Sequence, residues 1–254
     1  MNQILVTKKL YITPELKRKK KIYKFDFIIS VFLVCVLTSL YIYAEYDRNK
    51  SEQTSQQLLT EVNQTLSEAE DTTIAKDDVL LIVLDATEED YVAMEERESM
   101  NIATINEQAE KKVTANGSTY RIIATITIPE INLTYPVLQG ETGSTEEIDD
   151  LLKISPCKYH GGEPNEKGNF CIVGHNYRNR KFFSKVPTLG IGSVINLTDL
   201  TGRTISYEVY DKHTVDPTDT RDTTQLTGGK KEITLITCTD DSKQRVIVKA
   251  KEIK

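Results

Sequence analysis

Positive charge is in short supply in this chain of 254 residues: 32 Lys and Arg stand against 38 Asp and Glu, a formal net charge of −6. That balance excludes a nucleic-acid partner as the reading of the whole chain. Histidine is scarcer still, so any acid–base imidazole must be His160, His175 or His213. Clustered carboxylates are missing where a loop could use them. The segment HGGEPNEKGN supplies only Glu163 and Glu166, too few oxygens for a hard cation, and neither a metal nor a cofactor is expected. The CGxCW context of papain-type proteases is absent, which removes that class of thiol enzyme. No internal repeat is visible, so a solenoid is not in question.

Positive charge is densest at one end. Lys8, Lys9, Lys17, Arg18, Lys19, Lys20, Lys21 and Lys24 precede Phe27 to Ala44, FIISVFLVCVLTSLYIYA, which holds no charged residue, Pro or Gly. A helix of about 18 apolar residues spans the hydrocarbon core, and Tyr41 and Tyr43 stand where an interfacial aromatic belt is expected. A cleaved signal peptide has a shorter apolar core and ends in small residues, whereas this one ends Tyr-Ile-Tyr-Ala-Glu-Tyr. The expectation is an uncleaved single-pass anchor, with residues 1–26 as a basic cytoplasmic tail, 27–44 as the span and everything beyond outside the cell.

Residues 45–115 read as an extracellular stalk with possible flanking helices. Leu58, Leu59, Val62 and Leu66 have helical spacing but no wide apolar face, which suggests a frayed helix or spacer. Val79 to Leu84, VLLIVL, is a short apolar run that periodicity cannot assign. From residue 116 the character is β. YRIIATITI ends at Pro129; LTYPVLQG, NFCIVGH, EITLITC and RVIVKAKEI are further strands; SVINLTDLTGRTISYEVYDKHTV turns near Thr201 and Gly202. Ser144 to Lys153 reads as a short helix, with Ser144 and Glu147 as a capping box, and RKFFSKV as a helical turn. Many short strands separated by turn signals point to a mostly β fold, a closed barrel with small helices, over residues 116–254.

Four cysteines are present in different settings. Cys35 lies in the apolar span, as a small apolar residue. Cys157 and Cys171 lie in the outer part, where a disulfide is permitted but not determined by sequence. Cys238 ends a β run and meets the polar stretch Thr239-Asp240-Asp241-Ser242-Lys243, which places a thiol at a strand mouth. A thiolate attacks carbonyls when a base or acid partner is at hand. His175 follows an apolar strand in VGHN, and Gly174 and Asn176 allow a tight turn that presents the imidazole. Arg245 opens the strand after Cys238, so a short connection returns its guanidinium to the thiol, where a fixed cation holds a developing oxyanion. Singly, a strand-end cysteine is a small core residue, a lone histidine a surface group and an edge arginine a solvated charge. Ile236 and Val173 read as barrel core.

Taken together these residues resemble the sortases. TLITC, Thr234 to Cys238, resembles the family's TLxTC signature; Arg245 matches its arginine, and NFCIVGHN its strand ending in the catalytic histidine. KFFSKVPTLGIGSVINL, VDPTD and IPEINLTYPVLQG are similar to further family segments, in the family's order, over Tyr120 to Lys254. The resemblance implies an eight-stranded sortase β-barrel preceded by the transmembrane helix. It implies a cysteine transpeptidase that cleaves an LPxTG-like sorting signal between Thr and Gly, with an amine of a cell-wall precursor or a pilin lysine as acceptor. Cys238 would be the nucleophile, His175 the acid and base, and Arg245 the oxyanion partner; Thr237 would line the substrate site. The short Cys238–Arg245 connection places the chain with class A or D sortases rather than class B. A non-catalytic, membrane-anchored interaction domain on the same fold is the alternative outside enzymes.

Overall fold

The computed structural model describes residues 14–74, 96–97, 99–105, 107 and 109–253. The Val79–Leu84 run lies outside them. The chain divides into two units at Lys50 and Ser51.

The first helix, α1, runs Pro14–Ile74. Proline suits the first helical position because its missing N–H has no partner there. The helix contains an apolar window that is wholly unburied, and it is the one helix among the described residues long and apolar enough to cross a membrane. In the second unit the helix meets protein. Ser55, Leu58, Leu59 and Val62 are buried, and Leu58 and Val62 join Tyr120, Ile122, Leu138, Leu151 and Leu152 in one cluster. Ser55 and Ser155 share a hydroxyl hydrogen bond of 2.9 Å, and Lys112 pairs with Glu61 at 2.7 Å. The narrow stripe read as spacer is thus a packing face. Burying Leu58 and Val62 contributes about 1.5–3 kcal/mol each, enough to hold this stretch against the sheet.

Nine strands follow: β1 (Lys112–Val113), β2 (Thr119–Ile128), β3 (Leu133–Gly140), β4 (Cys157–His160), β5 (Gly168–Val173), β6 (Val194–Asp199), β7 (Thr204–Val215), β8 (Lys231–Cys238) and β9 (Arg245–Glu252). Their order is β1-β2-β3-β4-β5-β8-β9-β7-β6, and β6 also pairs with β2. Since β1 pairs only with β2, the closed ring has eight strands, as expected from the sequence. Closure leaves no open edge within the ring of eight. Ile126, Phe170, Ile172, Ile195, Leu197, Tyr207, Val209, Ile233, Leu235, Val248 and Ala250 alternate along their strands and fill the interior.

The helix α2 (Thr145–Leu152) links β3 to the parallel β4. Ser144 caps it, accepting from the Glu147 N–H at 3.3 Å. The other half of the expected capping box is not made. Glu147 instead accepts from the backbone N–H groups of Glu141, Thr142 and Gly143. Those bonds hold its carboxyl below the usual range against the opposing effect of burial.

Candidate active site

The site is set by one parallel pairing. β5 runs beside β8 in register from Gly168–Lys231 to Val173–Ile236. Two residues beyond that last pair stand His175 and Cys238. The chain continues the register past the strand: Gly174 N–H donates to the Ile236 carbonyl at 3.1 Å. The Thr237 hydroxyl donates to the Gly174 carbonyl at 2.8 Å, and the Asn176 amide donates to the Cys238 carbonyl at 3.0 Å. His175 and Cys238 are therefore bracketed on both sides by bonds between their own neighbours. Arg245 is the direct antiparallel partner of Cys238, and residues so opposed point to the same face. Histidine, cysteine and arginine, separated by up to 70 residues of sequence, come together at one end of three adjacent strands.

Strand alternation decides which face that is. Ile233 and Leu235 belong to the barrel interior, whereas Ile236 packs with Cys171, Ile247, Val173 and Val215. Ile236 and Val173 thus lie outside the barrel core, on a small apolar patch of its outer wall, contrary to the sequence reading. Cys238, two residues beyond Ile236, shares that outer face. Thr237 points the other way: it is buried, and its hydroxyl is engaged by Gly174 rather than presented to the open face.

Cys238 and His175 are half-buried. Burial lowers the pKa of His175 below its ordinary value; Asp149 on α2 opposes that effect and Lys153, just past the end of α2, reinforces it. Its ring lies 4.9 Å from that of Tyr177. Among the described residues the Arg245 guanidinium has a single contact, 3.5 Å to the Gln244 carbonyl. That distance is too long for a strong hydrogen bond, so among the described residues no strong protein acceptor engages its donors. Gly174 is required by close approach, since a Cβ there would lie 2.5 Å from the Phe183 ring.

The competing groups are elsewhere or occupied. All four cysteines are free, so Cys157 and Cys171 do not form the disulfide that the sequence left open. Both are buried, and burial raises the Cys171 thiol to about 12 and Cys157 further still, which suppresses thiolate chemistry. His213 is held between Asp211 at 3.0 Å and Asp222 at 2.9 Å. His160 is exposed at the end of β4, opposite Cys171 rather than Cys238. Asp240 and Tyr177 were given no role from sequence, and Asn176 was read only as a turn residue beside His175. Only the adjacency of Asn176 and Tyr177 to His175 could have suggested them.

The sortase domain family matches residues 126–253, half of the chain, including all three of these residues. The chain belongs to the sortase family. Its members are cysteine transpeptidases, which accords with a free thiol at a strand mouth. Among solved structures, a Clostridium perfringens sortase D5 transpeptidase is 27% identical, covering 61% of this chain and 88% of its own, with a TM-score of 0.48. A lid mutant of sortase A from Corynebacterium diphtheriae is 21% identical over 77% of this chain and 95% of its own, with a TM-score of 0.46. A Clostridium perfringens sortase C with a C-terminal cell wall sorting motif is 20% identical over 67% and 92%, with a TM-score of 0.46. No curated protein matches the chain.

Proposed function

We propose that this sortase cleaves an LPxTG-like sorting signal between Thr and Gly and transfers the protein to an amine. Cys238 is the nucleophile, His175 the acid and base, and Arg245 the oxyanion partner. The observation that carries the reading is the bracketed register of His175 against Cys238 with Arg245 directly opposite.

The Cys238 thiolate attacks the threonyl carbonyl carbon, and the negative charge formed on oxygen is met by the guanidinium of Arg245. The carbon–nitrogen bond breaks as His175 gives its proton to the leaving glycyl amine. A thioester remains. The incoming amine attacks it, loses a proton to His175 and expels the Cys238 thiolate, which restores the starting state. Reaction by this route needs the thiolate and the imidazolium together. Burial disfavours the charged His175 and so works against that state. Thr237 acts as a positioning residue through its bond to Gly174. The helix α1 anchors the chain, and its basic N-terminal flank sets the catalytic unit outside the cell. The acceptor is a cell-wall precursor amine or a pilin lysine.

Mass spectrometry of the full chain in detergent, mixed with an LPxTG-like peptide and triglycine, tests the reading. The expected products are a thioester on Cys238 and an amine-capped peptide, both absent in Cys238→Ala. Undiminished transfer by Cys238→Ala or His175→Ala would refute the assignment. Competition between a cell-wall stem peptide and a pilin lysine peptide separates the two acceptors.

A further inference from the structure

The strand register fixes the backbone of His175 but not the direction of its ring. The ring is met by Tyr177, 4.9 Å away, and Tyr177 in turn stands edge-on to Phe182 at 5.3 Å. Both belong to the turn that returns from His175, closed by the Phe183 N–H donating to the His175 carbonyl at 3.0 Å. This turn is built against backbone preference. Arg178, Arg180 and Phe182 all have positive φ, at 59°, 72° and 50°. Phe182 combines that φ with ψ −131°, a conformation L side chains rarely adopt, which persists only when surrounding contacts over-determine it.

Those contacts lead to α1. Phe182 is 1% exposed, and its ring stacks on Tyr135 at 5.1 Å. Its backbone N–H donates to the Tyr135 hydroxyl at 3.0 Å, and that hydroxyl donates to the Glu52 carboxylate at 2.7 and 2.9 Å. A phenol has one proton. Glu52, which can only accept, draws that proton toward α1 and so turns an oxygen lone pair toward Phe182. Gln56, one helical turn on, donates to Glu52 at 3.2 Å and steadies it.

We propose that Glu52 is a positioning residue of the active site, acting from the juxtamembrane helix through Tyr135, Phe182 and Tyr177 to aim the His175 ring. The inference rests on His175 being the acid and base of the reaction. It makes the helix that precedes the barrel a working part of the enzyme, beyond its place as a tether. Tyr177 also covers His175, so releasing the turn admits water to the ring and weakens the burial that lowers its pKa. Asp149 on α2 and Lys153 just past its end, the charged groups that act on His175, are untouched by the change.

The test uses the full chain in detergent, with Glu52→Ala, Glu52→Gln and His175→Ala. Three measurements are made: kcat and KM for peptide transfer to triglycine, the His175 titration by NMR of labelled imidazoles, and thermal unfolding. Glu52→Ala is expected to lower kcat by about 10-fold or more with KM little changed, and to move the His175 titration up toward its ordinary 6.5. Glu52→Gln keeps an acceptor for the Tyr135 hydroxyl and restores most of both. A Glu52→Ala enzyme with wild-type kcat and an unmoved titration would overturn the proposal. So would equal damage in Glu52→Ala and Glu52→Gln accompanied by loss of thermal stability, which would mark a packing role alone. If His175→Ala transfers normally, the catalytic assignment itself fails; if His175→Ala is dead and Glu52→Ala is normal, only this inference fails.

Discussion

Replacing Asn176 with alanine isolates what joins Cys238 to the turn that carries His175. The amide donates to the Cys238 carbonyl at 3.0 Å and to the Asp240 carboxylate at 3.0 Å. Its oxygen accepts from the Arg178 N–H at 3.0 Å. The contacts to Asp240 and Arg178 are exposed, and water replaces them at small net loss. The bond to the Cys238 carbonyl is part-buried and contributes about 1 kcal/mol. A loss of about 1–2 kcal/mol in all lowers the Tm of a domain this size by roughly 2–8 °C. The kinetic effect should be larger than the thermal one. A displacement of about 1 Å between reacting groups is worth up to about 100-fold in rate, and this amide is one of the bonds that set the spacing of His175 and Cys238. Single-turnover thioester formation, followed by quenched mass spectrometry, should slow by about 10–100-fold. Asn176→Asp should be slower than Asn176→Ala, because a carboxylate would face both the Cys238 carbonyl and Asp240. Wild-type thioester formation in Asn176→Ala, with the Tm loss intact, would show that the amide only stabilises the fold and would refute the reasoning.

Gly174→Ala places a methyl 2.5 Å from the Phe183 ring; overpacking of about 1–3 kcal/mol should appear as a lower Tm and a deeper loss of kcat than of substrate affinity. Iodoacetamide applied to the native protein should label Cys238 while Cys157 and Cys171, buried and with raised pKa values, react only after unfolding, as peptide mapping will show. His213 links stability to pH. Burial lowers its pKa, but the bonds to Asp222 and Asp211 outweigh that and raise it above 6.5. The contribution is therefore fully present below pH 6.5 and lost as pH rises through the folded pKa. Denaturant titrations of wild type and His213→Gln should converge in stability at alkaline pH and diverge in mild acid. Convergence in acid instead would contradict the sign. His175 acts in the opposite sense: its lowered pKa gives stability that is present above 6.5 and lost as pH falls through the folded pKa.

Much of this protein is written in local patterns. Strands β2, β3, β8 and β9 follow directly from alternation and from breakers such as Pro129, because a half-buried strand must repeat every two residues. Cys238, His175 and Arg245 stood out as candidates for the same reason: each stands where an apolar strand begins or ends, in segments resembling the sortase signatures. The apolar span from Phe27 to Ala44 was legible from length and lack of charge alone. What sequence could not supply is everything that depends on partners distant in the chain. The phase of β8 relative to the interior, which puts Ile233 and Leu235 inside but Ile236 and Cys238 outside, is set by the closed ring and not by hydrophobicity, since all three aliphatic residues are equally apolar. The stripe of Leu58 and Val62 looked too narrow to bury, and only the surface made by Tyr120, Ile122 and Leu138 gives it something to cover. Glu52, Tyr135, Phe182 and Tyr177 carry no local signal at all. Their hydrogen bonds and ring contacts, between residues up to 83 positions apart, exist only once the barrel has closed and α1 has docked on it.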